Sequence, residues 1–258
     1  MTETDADAAT ARLLDRFLTE LRALAPVAVW AHGSLAGGDY QEGRSDLDLI
    51  AVLEDPVSLG TARELVRLHR RLRAEEPLAV KLHCSYLTLD NPADVEQSYV
   101  TWAQDRLMKR PVTPVTRREL HAFGLVLHGK PPEDLLPTVQ DRELNAFVVR
   151  DQKEFWRPAV DKARLWTQDV WVDLGSVTFA RATVTLREGR LISKREALDL
   201  LPELGAPLDV VEDIRRRRYG DPAPHIDEWP ARRAELTRGY LGPAIDGLVA
   251  AYEGFTRA

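Results

Sequence analysis

His32-Gly33-Ser34-Leu35-Ala36-Gly37-Gly38 and, a few residues on, Ser45-Asp46-Leu47-Asp48-Leu49-Ile50 are the stretch on which the reading of this chain turns. The short β-branched run Val27 to Ala31 precedes it, and Leu47 to Leu53 has the apolar character of a second strand. Between them the glycine-rich segment His32 to Gly43 reads as a loop. Asp46 and Asp48 alternate at strand period, so both carboxylates project from one face while Leu47 and Leu49 point into a core. Two carboxylates held side by side repel each other, and a hard divalent cation relieves that cost. Magnesium favours one or two carboxylates completed by phosphate oxygens and water. Gly33 lets the backbone approach a phosphate closely, and the Ser34 hydroxyl can donate to one. Asp-x-Asp or Gly-Ser alone is usually a strand end or a turn. A strand, Gly-Ser, a glycine-rich spacer and Asp-x-Asp opening an apolar strand form a much rarer order.

Working outward, Leu13, Leu14, Phe17, Leu21 and Leu24 recur at helical spacing between Ala8 and Leu24, and Pro26 stops the pattern. Leu65, Leu68 and Leu72 mark a second helix over residues 61 to 73. Leu78 to Leu89 reads as a third strand, which places Ala79, Lys81, His83 and Ser85 on one face. Helix, strand, loop, strand, helix, strand implies a mixed sheet covered by helices. After Asp90 strand signals nearly vanish, and the proline-rich stretch Lys130 to Pro137 reads as a linker. The expected division is therefore 1–150 for the mixed-sheet part and 151–258 for an all-helical bundle, an α+β chain overall. In the second part, Ser193-Lys194-Arg195-Glu196 has the form of a capping box, with Lys194 in the first helical turn.

Composition narrows the function classes. With 258 residues and 44% hydrophobic residues, the chain is long enough for one large or two modest domains. No apolar run approaches the roughly 20 residues of a membrane span, and no export signal is visible, so we expect a cytoplasmic protein without a membrane partner. The single cysteine, Cys84, excludes an internal disulfide and a multi-cysteine zinc site. A net charge of -6 argues against nucleic-acid binding, for which lysine and arginine must cluster. The cluster Arg215 to Arg218 reads first as a solvated helix face. The acidic balance would suit a small cationic substrate.

The motif order resembles the polymerase-β-like nucleotidyltransferase superfamily. Gly124-Leu-Val-Leu-His-Gly129-Lys-Pro-Pro, Thr178-Phe-Ala-Arg181, Gly189-Arg-Leu-Ile-Ser-Lys194 and Arg218-Tyr219-Gly220 resemble, more narrowly, segments of the linker and helical domain of the streptomycin and spectinomycin adenylyltransferases. That resemblance implies a nucleotidyltransferase domain and a helical domain with ATP and the drug between them. It further implies antibiotic resistance as the role and, we expect, a monomer. Position by position, Asp46 and Asp48 resemble the magnesium ligands and catalytic carboxylates, and Gly33 and Ser34 the triphosphate-binding turn. Lys194 and Tyr219 resemble the helical-domain pair that reaches the ATP phosphates. Trp102 resembles a tryptophan that packs on the drug, the other reading being a core residue. Arg181 fits either a phosphate contact or a helix–helix salt bridge.

Two positions depart from that pattern. The family carries a proton-accepting glutamate on the third strand, where this chain has His83-Cys84-Ser85-Tyr86; His83 is the candidate base, since neutral imidazole accepts protons near pH 7. The acidic residues that hold the drug's cationic groups do not align cleanly before Gly175, and only Asp169 and Asp173 lie nearby. Magnesium-dependent transfer of AMP from ATP to a hydroxyl of a small, aminoglycoside-like molecule is the expected activity. A nucleotide-binding or regulatory module that has lost catalysis, and a transferase acting on another metabolite or a protein, stay open as alternatives.

Overall fold

A computed structural model describes residues 3–90, 97–221 and 228–256. The chain divides into two compact units, Met1–Val139 and Gln140–Ala258. The sequence placed the division near residue 150; the helix Asp141–Asp151 belongs to the second unit.

In chain order the first unit contains α1 (Glu3–Leu21), β1 (Ala28–His32), α2 (Gly33–Ala36), β2 (Leu47–Leu53), α3 (Leu59–Glu75), β3 (Leu82–Thr88), β4 (Ser98–Ala103), β5 (Arg106–Pro111), α4 (Pro114–Phe123), β6 (Leu125–Gly129) and α5 (Pro132–Leu135). The strands form one mixed sheet in the order β5-β4-β3-β2-β1-β6. Only β2 and β3 run parallel; the other neighbours are antiparallel. Strand pleat divides the side chains between two cores. Val29, Ala31, Leu47, Leu49, Ala51, Cys84, Tyr86 and Trp102 pack against Leu13, Phe17 and Leu21 of α1 and Leu65, Leu68 and Leu72 of α3. Ala28, Trp30, Ile50, Val52, Leu87 and Tyr99 pack on the opposite face with Leu120 of α4. Each of these large apolar side chains contributes roughly 1.5–3 kcal/mol by leaving water. Ser58 caps α3 by accepting from the Thr61 amide, and Thr113 caps α4 from the Thr116 amide, with Pro114 in the first turn.

Two expectations need correction here. Residues Pro77–Lys81 form a 3-10 helix, so the third strand begins at Leu82 and not at Leu78; Ala79 and Lys81 are not strand residues. Pro77 holds the first position of that turn and lacks the amide a ladder would use. The sheet also does not end near Asp90. β4, Ser98 to Ala103, is rich in β-branched and aromatic residues, while β5 and β6 lie at the two sheet edges and are largely exposed, which removes the apolar alternation that marks a strand in sequence.

The second unit is helical among its described residues: α6 (Asp141–Asp151), a π turn (Gln152–Trp156), α7 (Arg157–Val160), α8 (Asp169–Glu188), α9 (Lys194–Leu200), α10 (Leu208–Tyr219) and α11 (Trp229–Tyr252), with short 3-10 turns. α8 is buried along much of its length. Gly175 allows this, because a Cβ there would stand 2.5 Å from the fully buried Trp166 ring. The expected capping box is formed: Ser193 Oγ accepts from the Glu196 amide, and Glu196 Oε2 accepts from the Ser193 amide. No helix of the described residues is long and apolar enough to cross a membrane.

Candidate functional site

Sheet register places the first cluster. Asp48 of β2 is paired with His32 of β1 on one side and with His83 of β3 on the other. All three side chains rise from the face that carries Trp30, Ile50 and α4. His83 Nδ1 stands 3.6 Å from Asp48 Oδ1, which is electrostatic contact rather than a hydrogen bond. His32 Nδ1 donates to Glu119 Oε2 at 3.3 Å, and Glu119 on α4 is only 5% exposed. A buried carboxylate on Nδ1 sets the tautomer and leaves Nε2 for another partner.

The turn after β1 is built around Asp48. Gly33 has a φ of +64°, and a Cβ there would lie 2.9 Å from Asp48 Oδ2. The Gly37 amide bonds to Gly33 O at 2.9 Å and the Asp39 amide to Ser34 O at 3.0 Å, which closes the short helix α2 around Ser34. Farther along, buried Ser45 Oγ accepts from the Gln41 amide at 3.0 Å, pinning the residue before Asp46. Asp46 and Asp48 stay partly exposed, and Lys81 Nζ lies 3.5 Å from Asp46 Oδ1 while donating to Arg44 O at 3.1 Å.

The oxygen donors are of the kind magnesium takes. Both carboxylates are partly exposed, Asp48 kept open by the missing Cβ of Gly33 and Asp46 facing the Lys81 ammonium. Among the described residues no three acidic, histidine or cysteine side chains converge on one metal position. A cation here would need phosphate and water oxygens to complete its shell, which is how magnesium is ordinarily held.

Beside Asp48 and His83 opens a cavity of about 150 Å³, lined on its polar side by His32, Ser85, Thr101, Arg110 and Thr116. Ser85 and Thr101 face each other across β3 and β4 with their hydroxyls 2.9 Å apart.

Trp102 is elsewhere. Its neighbour across the strands is Cys84, on the α1 and α3 side of the sheet; it is 4% exposed and its ring stacks on His69 at 4.6 Å. Of its two readings, core residue is the one the fold realises. Cys84 beside it is buried, and burial pushes its thiol up to about 12, so it is inert.

In the second unit Lys194 opens α9, and the neighbouring Arg195 guanidinium lies 4.1 Å over the Tyr219 ring at the end of α10. Arg218 Nε donates to the Tyr219 hydroxyl at 3.0 Å. The first turn of α9 and the end of α10 thus form one cationic and aromatic surface. Arg181 Nε donates to Ile192 O at 2.8 Å, holding the segment that leads into α9.

Asp169 and Asp173 belong to a separate charge network in the same unit. Arg217 bonds to Asp173 and Asp213, and fully buried Arg233 bonds to Asp213 at 2.9 Å and Asp169 at 2.6 Å. Burial raises the Asp173 carboxyl against the pull of Arg217. Burial also works to raise Asp213, but the hydrogen bonds from Arg233 and Arg217 outweigh it and hold it low. The sequence took Arg215 to Arg218 for a solvated face; Arg217 is instead folded inward among carboxylates.

His32, Glu119 and Arg110 carried no assigned role in the sequence. His32 stands inside the glycine-rich motif, and that position was the one available signal. Glu119 and Arg110 reach the site through tertiary packing alone.

The family model described as "Nucleotidyltransferase domain" matches residues 14–122. Among solved structures, spectinomycin adenyltransferase AAD(9) from Enterococcus faecialis with ATP and spectinomycin aligns with a TM-score of 0.68 at 15% identity, covering 95% of this chain and 100% of that one. At that identity the likeness establishes the fold. CdnC of E. coli MS115-1 with ATP aligns at 12% identity over 99% of this chain and 90% of that one, and its TM-score of 0.29 carries no argument. No curated protein sequence matches significantly.

Proposed function

We propose, from the match of residues 14–122 to the family model described as "Nucleotidyltransferase domain", that the chain transfers AMP from ATP to a hydroxyl of a small molecule. The observation that carries this reading is the single row His32, Asp48, His83 across three strands, with Gly33 packed on Asp48. The turn at Gly33 and Ser34 receives the triphosphate, with the Ser34 hydroxyl as donor. Asp46 and Asp48 would hold magnesium, which when bound would supply the positive charge that offsets the phosphates. His83 takes the proton of the acceptor hydroxyl. That oxygen forms a bond to the α-phosphorus as the bond to the β-phosphate oxygen breaks, and pyrophosphate leaves. Lys194 and Tyr219 of the second unit are proposed as nucleotide-binding residues on the family resemblance. Catalysis on this reading is positioning plus charge neutralisation.

An aminoglycoside-like acceptor is the form of this reading that the family resemblance supports. One observation favours a different acceptor: Asp169 and Asp173, the carboxylates expected to hold a cationic drug, are engaged by Arg233 and Arg217. The test is incubation with labelled ATP, magnesium and a panel of aminoglycosides and anionic or neutral hydroxyl compounds. Pyrophosphate release coupled to an adenylylated product supports the reading and names the acceptor. No release with any acceptor, together with ATP binding that is indifferent to magnesium, overturns it.

A further inference from the structure

We propose that the cavity beside Asp48 and His83 is a subsite for an anionic group of the acceptor, a phosphate or a carboxylate, so that the substrate is a hydroxyl-bearing anion. This rests on the reading of His83 as the base, because the group that yields its proton must lie on the His83 side.

The lining carries the argument. Arg110 of β5 is paired with Tyr99 of β4; two residues along that strand, on the same face, Thr101 meets Ser85 of β3; two residues before Ser85 stands His83, paired with Asp48. Strand pleat therefore lines up a guanidinium, two hydroxyls and an imidazole on one surface leading to the carboxylate, and Thr116 of α4 adds a third hydroxyl. Among the described residues Arg110 makes no hydrogen bond or ion pair, so its five donors are uncommitted. Among the described residues Asp48 is the one carboxylate on the cavity wall, and on the proposed reading it would hold the metal. An ammonium or guanidinium group entering here would face Arg110 with no acidic side chain left to receive it. A phosphate or carboxylate would meet a planar bidentate donor at Arg110, beside hydroxyls already tied to Thr101, Tyr99 O and Thr113. The volume of about 150 Å³ admits one such group with water.

The same anion chemistry could come from the nucleotide, whose phosphates the transferase reading places at Gly33 and Ser34, next in the chain to His32 of the cavity wall. The experiment separates the two sources. With isotope-labelled histidine, the His32 and His83 imidazole signals are followed as inorganic phosphate is added, with and without saturating magnesium and a non-hydrolysable ATP analogue. Guanidinium chloride serves as the cation probe. Phosphate should move both signals in both conditions, guanidinium neither; Arg110→Ala should weaken phosphate by at least about ten-fold, and Arg110→Lys should recover part of it. The proposal is overturned if phosphate moves neither signal, if Arg110→Ala binds it as the parent does, or if the ATP analogue displaces it, which would make the anion the nucleotide's own. Titration of the analogue on the same sample reports separately on the transferase reading: failure of the analogue to bind sinks that reading, while the phosphate titration without nucleotide still decides the cavity.

Discussion

Gly33 and Asp48 touch so closely that a Cβ on the glycine would stand 2.9 Å from Asp48 Oδ2, and the glycine backbone has a φ of +64°. Gly33→Ala therefore meets two costs. The left-handed backbone alone costs about 1–2 kcal/mol in a residue with a Cβ, and Asp48 must also turn away. We expect nucleotide affinity to fall at least about ten-fold, while thermal unfolding shifts by only a few degrees. Unaltered affinity in calorimetric titration would detach this turn from the nucleotide.

Replacing both Asp46 and Asp48 by Asn should remove the magnesium dependence of ATP binding and abolish transfer. The fold should survive, because both side chains are partly exposed and neither supports a core. ATP titrations with and without magnesium check this. If the double variant and the parent bind ATP alike, these carboxylates hold no metal.

His83→Ala should lower turnover about 10²–10⁴-fold, the usual contribution of a general base, and leave ATP affinity nearly intact. His83→Glu restores a carboxylate at that register position and should recover part of the rate. Single-turnover measurements separate chemistry from binding; parent-like turnover in His83→Ala would remove the imidazole from the proton transfer.

Lys194→Ala tests the second unit. Loss of a charge-assisted phosphate contact typically costs about 1.5–3 kcal/mol, or roughly ten- to more than a hundred-fold in affinity. Helix α9 should persist, since its capping box uses Ser193 and Glu196 and not the lysine. An unchanged dissociation constant for ATP would leave Lys194 as a surface residue.

Stability should fall on acidification because of one buried imidazole. His69 is 2% exposed, with Nε2 2.6 Å from the Tyr86 hydroxyl, and burial, aided by the charge of His83, holds it down to about 3. The unfolded chain protonates this group near 6.5, so between 6.5 and about 3 the unfolded state binds a proton that the folded state refuses. Stability from His69 is full above 6.5 and is lost as pH drops through that window, at up to about 1.4 kcal/mol per pH unit. Urea unfolding at pH 7 and pH 5 should show the loss, and His69→Gln should flatten it. Equal slopes for parent and variant would refute this assignment.

The motif is legible in the amino-acid sequence because its parts are local. Alternation along Leu47 to Leu53 sets which carboxylates share a face, and a glycine after a strand favours a sharp change of chain direction. Ser193 and Glu196 close their box for the same reason, three residues apart on one helix start. β5 and β6 are not legible, because edge strands with exposed side chains carry no apolar alternation; their hydrogen bonds, not their sequence, make them strands.

The sequence by itself determined the pair Asp46 and Asp48, the glycine turn before it and the helix cap at Ser193, each a matter of backbone preference within a few residues. Only the tertiary structure decided what surrounds them. His32 meets Glu119 across 87 residues of chain, Arg110 joins the cavity wall through the β4 and β5 ladder, Trp102 turns to the core face, and Arg217 folds inward onto Asp173 and Asp213. Sheet register and helix docking set those encounters, because they depend on which surfaces bury the most apolar area together, a property of the whole unit that no short stretch of sequence contains.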